Sequence, residues 1–221
     1  MERFRLRGLP LFRGMEEAEL EDCLCALAAQ ERRYEKGEMI LRAGSSTERM
    51  GIVLQGSVTV ESNDVWGGCT ILSHVGENGS FAETYALLEG EVMLVDVRAN
   101  EDCRVLLLRL GDLSRGDVLQ RSWGCRLIAN LLIISTHKNL ALSGRSFHTA
   151  PRTIRGRVLA YLNSIALRTH TREFDIPFDR QQLADYLNVD RTALSKELGK
   201  MREEGILRCR RSHFVLLRGG E

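Results

Sequence analysis

Residues 178–207, FDRQQLADYLNVDRTALSKELGKMREEGIL, hold two helix-forming segments on either side of a three-residue interruption. No other stretch limits the fold of this chain as strongly. Asp179 stands where an N-cap belongs, and Gln182, three residues on, completes a capping box. Leu183, Ala184 and Leu187 then give the first helix an apolar face. Asn188-Val189-Asp190 interrupts the pattern. Asn tolerates a left-handed turn conformation, and Asp190 can cap a second helix. Leu194, Leu198 and Met201 form that helix's inner face, while Arg191, Thr192, Ser195 and Lys196 crowd the start of its outer face.

A helix of this kind suits the major groove of duplex DNA, where side chains near the N-terminus reach base edges. Arg191 can bond guanine through two parallel hydrogen bonds, Thr192 and Ser195 can meet bases or phosphate, and Lys196 either. Arg180 and Gln181, opening the first helix, complete the candidate DNA-contacting set. The alternative is an ordinary helical hairpin with a solvated polar face. Leu207–Arg211 and Phe214–Leu217 read as two short strands around Ser212-His213, a hairpin that would make the unit a winged helix-turn-helix.

Composition narrows the setting. The 221 residues are 43% hydrophobic and 28% charged, as expected of a globular protein with room for one large or two small domains. The longest apolar run, Leu127–Ile134, is too short to cross a membrane and contains Asn130. MERFRLRGLPLF lacks the features of a secretory signal, which points to the cytoplasm. The net charge of +1 conceals an asymmetry: residues 151–221 hold 14 Lys/Arg against 9 Asp/Glu, a modest excess that fits nucleic-acid binding there. The cysteines, Cys23, Cys25, Cys69, Cys103, Cys125 and Cys209, form no C-x-x-C pair. They suggest neither a zinc ribbon nor an iron–sulfur site, and read as incidental thiols or as redox sensors. Cys23 and Cys25 fall in an expected helix, where residues two apart point to different faces.

Along the chain, Met15–Ala28 reads as a short helix. From about Glu31 to Leu110 the period changes to short β-prone segments: Met39–Leu41, Ile52–Leu54, Val58–Val60, Thr70–Leu72, Val92–Val97 and Val105–Leu108. Glycines and Asn63-Asp64 punctuate them, a pattern that argues for an antiparallel sandwich, jelly roll or barrel. Leu113–Leu119 reads as one or two helical turns. Ser122 to about Arg145 reads as a long helix, apolar around more than half its circumference. Such a helix must be covered on two sides. Either a twin helix from a second copy covers one of them, through Leu127, Ile128, Leu131 and Ile134, or the helix is the core of a monomer. Ser143–Pro151 is expected to break the helix and serve as the hinge. Arg152–Leu167 forms a further helix, with Arg155 and Arg157 placed where they can face phosphate. The fold class is therefore α+β. Its parts are an antiparallel β-roll over residues 1–110, a long helix and hinge over 111–148, and a winged helix-turn-helix over 149–221.

This order of parts resembles the CRP/FNR family of bacterial transcription regulators. In the roll the resemblance rests on Tyr34–Glu38, Ala43-Gly44, Ile52–Val58 and Val97–Ala99, and at the other end on Ile176–Leu187. Phe81–Ala86 is similar to a phrase of the clostridial-type members. The resemblance implies a cyclic-nucleotide-binding-like roll, a homodimer joined along the long helix, and a palindromic operator. It further implies RNA polymerase as a partner if the protein activates, and an effector pocket that turns the DNA-binding domains. Glu83 falls at the position of the glutamate that cyclic-AMP-responsive members share. Their phosphate-holding Arg-Ser or Arg-Thr pair, however, falls here on Met93-Leu94. Without a guanidinium the phosphate would lose a charge-assisted bond of about 1.5–3 kcal/mol, so cyclic AMP is not the expected ligand. Glu83, Thr84, Tyr85, Met93 and Leu94 remain the candidate effector pocket, for an unknown small molecule, with Tyr85 equally placed to be core. Arg98 matches a family arginine and reads as structural. Arg191 matches the guanine-reading arginine and Lys196 a second basic residue, whereas Thr192 stands where many members have glutamate, implying a different half-site.

No metal, haem or iron–sulfur cluster is expected, since His74 is the only histidine of the roll. A cupin-like enzyme would need two or three histidines with a carboxylate, so catalysis is not expected. The remaining rival is a DNA-binding regulator without a ligand, controlled by thiol oxidation or by abundance.

Overall fold

Between Cys103 and Leu108 every side chain except Arg104 is buried, and that double-sided burial decides how the first part of the chain folds. The computed structural model describes residues 6–63, 69–114 and 118–217. Packing separates the chain into two units, Met1–Ile134 and Ser135–Glu221.

In the first unit, helix α1 (Glu17–Ala26) precedes strands β1 (Gln30–Tyr34), β2 (Met39–Leu41), β3 (Arg49–Gln55), β4 (Val58–Asn63), β5 (Cys69–Val75) and β6 (Ser80–Phe81). Helix α2 (Glu83–Leu87), β7 (Asp96–Ala99) and β8 (Cys103–Arg109) follow. The strands pair antiparallel in two sheets, ordered β1-β8-β3-β6 and β2-β7-β4-β5. Successive side chains of a strand point to opposite faces. Val53, Cys103, Val105 and Leu107 therefore join Val58, Val97 and Ala99 of the other sheet in one core. Met50, Ile52, Leu106 and Leu108 turn the other way, onto Leu20, Cys23 and Leu24 of α1 and onto Trp123, Leu127 and Leu131. This is the expected antiparallel roll.

Three local expectations need correction. Val92–Val97 does not form one strand: pairing begins at Asp96. Before it, the main chain of Met93 bonds to Gly44 and Ser45, each at 2.8 Å, so this segment follows a turn and not a strand edge. Strand β1 was missed because only Tyr34 of its five residues is buried, leaving no apolar alternation to read. The short α2 was missed as well. Of the turn expected at Asn63-Asp64, Asp64 lies outside the described residues.

The long helix α3 runs Gly124–Thr149, so Ser143–Thr149 continue it and do not break it. Thr149 Oγ1 donates back to the Arg145 carbonyl at 2.9 Å, and His148 is buried, which stabilises the last turn despite Gly144 and Ser146. The interruption comes at Ala150–Thr153, where Pro151 has no N–H to offer.

In the second unit, α4 (Ile154–Thr169) starts at Thr153, whose side chain accepts from Gly156 N. Strand β9 (Glu173–Asp175), helices α5 (Arg180–Leu187) and α6 (Arg191–Glu203), and strands β10 (Leu207–Arg210) and β11 (His213–Leu216) complete it. The sheet order is β10-β11-β9. Arg210 pairs with His213, so the wing turns at Arg211-Ser212, one residue before the expected Ser212-His213. Val158, Leu162, Leu183, Leu187, Leu194 and Leu198 are among the residues of its separate core. No helix among the described residues is long and apolar enough to cross a membrane.

Candidate nucleic-acid interface and effector region

The two helices form as their local chemistry requires. Asp179 Oδ1 accepts from Gln182 N and Gln182 Oε1 from Asp179 N, each at 2.8 Å, a reciprocal capping box. Asn188 closes α5 in the left-handed conformation, φ 53°, and Asp190 Oδ1 accepts from Ala193 N at 2.7 Å to start α6. Leu194, Leu198 and Met201 are buried. Arg191, Thr192, Ser195 and Lys196 stand exposed together over the first two turns. Gln181 is exposed on α5 with its amide on Asp185 Oδ1, 2.8 Å away. Arg180 is half-buried over the Phe214 ring, 5.9 Å from its centroid, and so is partly committed to packing.

Arg155 and Arg157 do not face phosphate. Arg155 bonds Glu197 and Glu204, and Arg157 donates to the carbonyls of Pro151, Leu187 and Asn188 at 2.7–3.0 Å. Both were legible as basic residues, but apart from the Pro151 carbonyl their acceptors come from elements 30 residues or more away in sequence. Conversely, Arg208 and Arg210 are exposed on the wing and were not singled out. The alternation Leu207-Arg208-Cys209-Arg210, with Leu207 fully buried, was the available signal.

The five candidate effector residues differ in burial. Met93 is in the roll core with Phe81 and Val97. Glu83 is buried, Thr84 is exposed, and Leu94 is 73% exposed. Tyr85 is half-buried, and its hydroxyl accepts from Leu94 N at 3.4 Å, which ties α2 to the Met93-Leu94 segment. Arg98, as expected of a structural cation, donates to Glu61 Oε1 at 3.2 Å and to the Gly37 carbonyl at 2.7 Å. A groove of about 580 Å³ lies among Arg33, Tyr34, Glu35, Glu38, Asp102 and Arg104, and none of the five lines it.

On α3, Leu127 and Leu131 are packed inside the chain's own core, 0% and 5% exposed, so they have no surface left for a second copy. Ile134 is half-buried against the same core, and Ile128 is exposed. Leu132 and Ile133 in the first unit, and Leu140, Leu142 and Phe147 in the second, are the other exposed large apolar side chains of this helix.

Cys23 is buried and Cys25 exposed, on different faces of α1 as the spacing requires. Burial pushes the Cys23 thiol up to about 12 and raises Cys103, so neither is a thiolate near neutral pH. Cys25 and Cys125 are exposed free thiols, while the Cys69 side chain lies outside the described residues. Among the described residues no group of three or more His, Cys, Asp and Glu could hold a metal ion.

Residues 31–115 match the family model of the cyclic nucleotide-binding domain, and residues 156–218 that of the Crp-like helix-turn-helix domain. Among solved structures the chain is similar to FixK2 from Bradyrhizobium japonicum, at 20% identity over 86% of this chain and 93% of that one, with a TM-score of 0.54. It is similar to CLP of Xanthomonas campestris, a c-di-GMP responsive global regulator, at 18% identity over 91% and 100%, with a TM-score of 0.60. It is also similar to CprK complexed with OCPA, at 15% identity over 88% and 89%, with a TM-score of 0.67. No curated protein matches the chain.

Proposed function

We propose, for a chain that belongs to the CRP/FNR family of DNA-binding transcription regulators, that two copies join along α3 and read a palindromic operator with paired α6 helices. The observation that carries this reading is the face of α6. Arg191, Thr192, Ser195 and Lys196 are exposed together on a helix whose opposite face is buried. A guanidinium, two hydroxyls and an ammonium at the start of a helix are the donors that base edges and phosphates accept. Gln181 and the wing arginines Arg208 and Arg210 add phosphate contacts. Arg180 contributes less, being turned onto Phe214.

The dimer uses Ile128, Leu132, Ile133, Leu140 and Phe147. Ile133, Leu140 and Phe147 recur every seven residues, the spacing of a coiled-coil seam. In functional terms residues 1–110 sense, 111–148 join the copies and 149–221 bind DNA, in the cytoplasm where a bacterial chromosome lies. RNA polymerase is a partner where the regulator activates.

The effector is a small molecule other than cyclic AMP. Met93 is buried in the roll core and Leu94 is apolar, so neither supplies a cation for a cyclic phosphate, and Arg98 is already engaged. Such a ligand acts by binding the DNA-competent arrangement better than the other. Thiol control is the second reading, and it would use Cys25 or Cys125, the exposed thiols.

Selection of duplexes from a random pool by the full chain tests the DNA reading. Two related half-sites about one or more helical turns apart are expected to enrich. Arg191→Ala should cost about 1–3 kcal/mol and relax preference at one base. A pool from which nothing enriches, with or without reductant, would overturn it. Titration calorimetry with cyclic AMP should give no tight binding.

A further inference from the structure

A regulator of this kind needs a place to bend between its sensing and reading parts, and Ala150–Thr153 is the obvious one because it is not helical. The side chains on either side of it argue otherwise. His148, in the last turn of α3, is buried, and its Nδ1 lies 2.9 Å from the Tyr186 hydroxyl of α5. Its ring meets Tyr161 of α4 edge-on, with centroids 5.3 Å apart. Tyr161, Phe178 and Tyr186 are in mutual contact, with centroids 4.9–5.9 Å apart.

The C-terminal end of α5 supplies a second tie. The last carbonyls of a helix have no partner within it. Arg145 of α3 donates to those of Asp185 and Tyr186, each at 3.3 Å, and lies over the Tyr186 ring. Arg157 of α4 donates to those of Leu187 and Asn188, at 3.0 and 2.7 Å, and to that of Pro151 at 2.9 Å. Four consecutive carbonyls are thus taken by two arginines, one from each side of the connection. Helix α3 and helix α4 are both fastened to the same end of α5.

We infer that residues 140–149 of α3 are a rigid part of the reading head, pinned by His148, Arg145 and Arg157, so that Ala150–Thr153 is not a free hinge. The rigid attachment is a property of the chain alone; its use as a lever rests on the proposed regulatory function.

The pin has a pH dependence that a purely apolar contact would lack. Burial first, and Arg168 of α4 second, push the His148 imidazole below its usual range. The groups around it are Arg145 on α3, Tyr161 and Arg168 on α4, and Tyr186 on α5, with no carboxylate among these to accept a proton's charge. A base whose folded pKa is depressed gives its full stabilisation above the usual imidazole range and loses it as pH falls below.

Hydrogen–deuterium exchange of the full chain tests the inference. In the native protein, amides of 140–149 should exchange together with those of α5. Tyr186→Phe keeps the ring and removes the hydroxyl, and should speed exchange of 140–149 about fivefold, the effect of one hydrogen bond. His148→Ala should speed it more, and acidification should lower the protection of 140–149, taken against the intrinsic rate at each pH, in the native chain but not in His148→Ala. Amides of 124–133 should not change. If neither variant alters 140–149, or if 140–149 follow 124–133 and not α5, the inference is overturned. If His148→Ala unfolds the second unit, Tyr186→Phe alone decides. Duplex selection separates the two levels: a native chain that enriches no paired half-sites defeats the regulatory reading while the exchange result still stands or falls by itself.

Discussion

Arg155 holds Glu204 through two parallel hydrogen bonds of 2.7 and 2.8 Å, and reaches Glu197 at 2.6 Å. One guanidinium of α4 therefore fixes both the middle and the end of the recognition helix, in the fork geometry that suits a carboxylate.

The hydrogen bonds from Arg155 hold the Glu204 carboxyl below its usual range. A carboxylate depressed in the folded state stabilises it above the usual carboxylate range, and this is lost as pH falls through the folded value. Chemical denaturation across that acid range should show Arg155→Gln with a lower midpoint near neutral pH and a flatter acid limb. The same variant should leave the salt dependence of DNA binding unchanged, because Arg155 is not a phosphate contact.

Asn188 takes φ 53° between the two helices, a conformation that costs most L-residues about 1–2 kcal/mol. Asn188→Val should lower stability by about that amount, whereas Asn188→Gly should be nearly neutral. Thermal unfolding of the two variants side by side measures the difference.

Gly51 lies under the Phe81 ring, and a Cβ added there would come within 2.0 Å of it. Gly51→Ala should destabilise the roll by about 1–3 kcal/mol, as overpacking does. Adding Phe81→Leu in the same chain should recover part of the loss. Equal denaturation midpoints for Gly51→Ala and the native chain would contradict this packing.

Cys23, pushed up to about 12 by burial, should resist alkylation at neutral pH in the folded protein. Cys25 and Cys125 should label readily, being exposed. Mass spectrometry after timed iodoacetamide treatment distinguishes them, and a trace of denaturant that opens the roll should bring Cys23 up to the rate of the others.

What could be read from the chain alone was whatever local geometry decides. The capping box of Asp179 and Gln182, the left-handed turn at Asn188 and the cap at Asp190 act within three or four residues, and the helix-turn-helix stood out for that reason. The short β-prone runs holding Val53, Val105 and Leu107 were equally plain, being aliphatic stretches bounded by turn residues. Strand β1 escaped because its partner β8, and not its own pattern, makes it a strand.

Tertiary structure decided how residues of the same type were used. Arg155 and Arg191 look alike in sequence, yet one is spent on Glu197 and Glu204 and the other is left exposed. Leu131 and Leu132 are neighbours, but one is inside the chain's own core and the other is exposed. Ser143–Thr149 read as a break and are helical, because Arg145 and His148 find acceptors and aromatic rings on α5. A charge or an apolar group carries no record of which distant partner will desolvate it. Sequence determined the fold and the reading helix, and only long-range packing determined which of their side chains remain available.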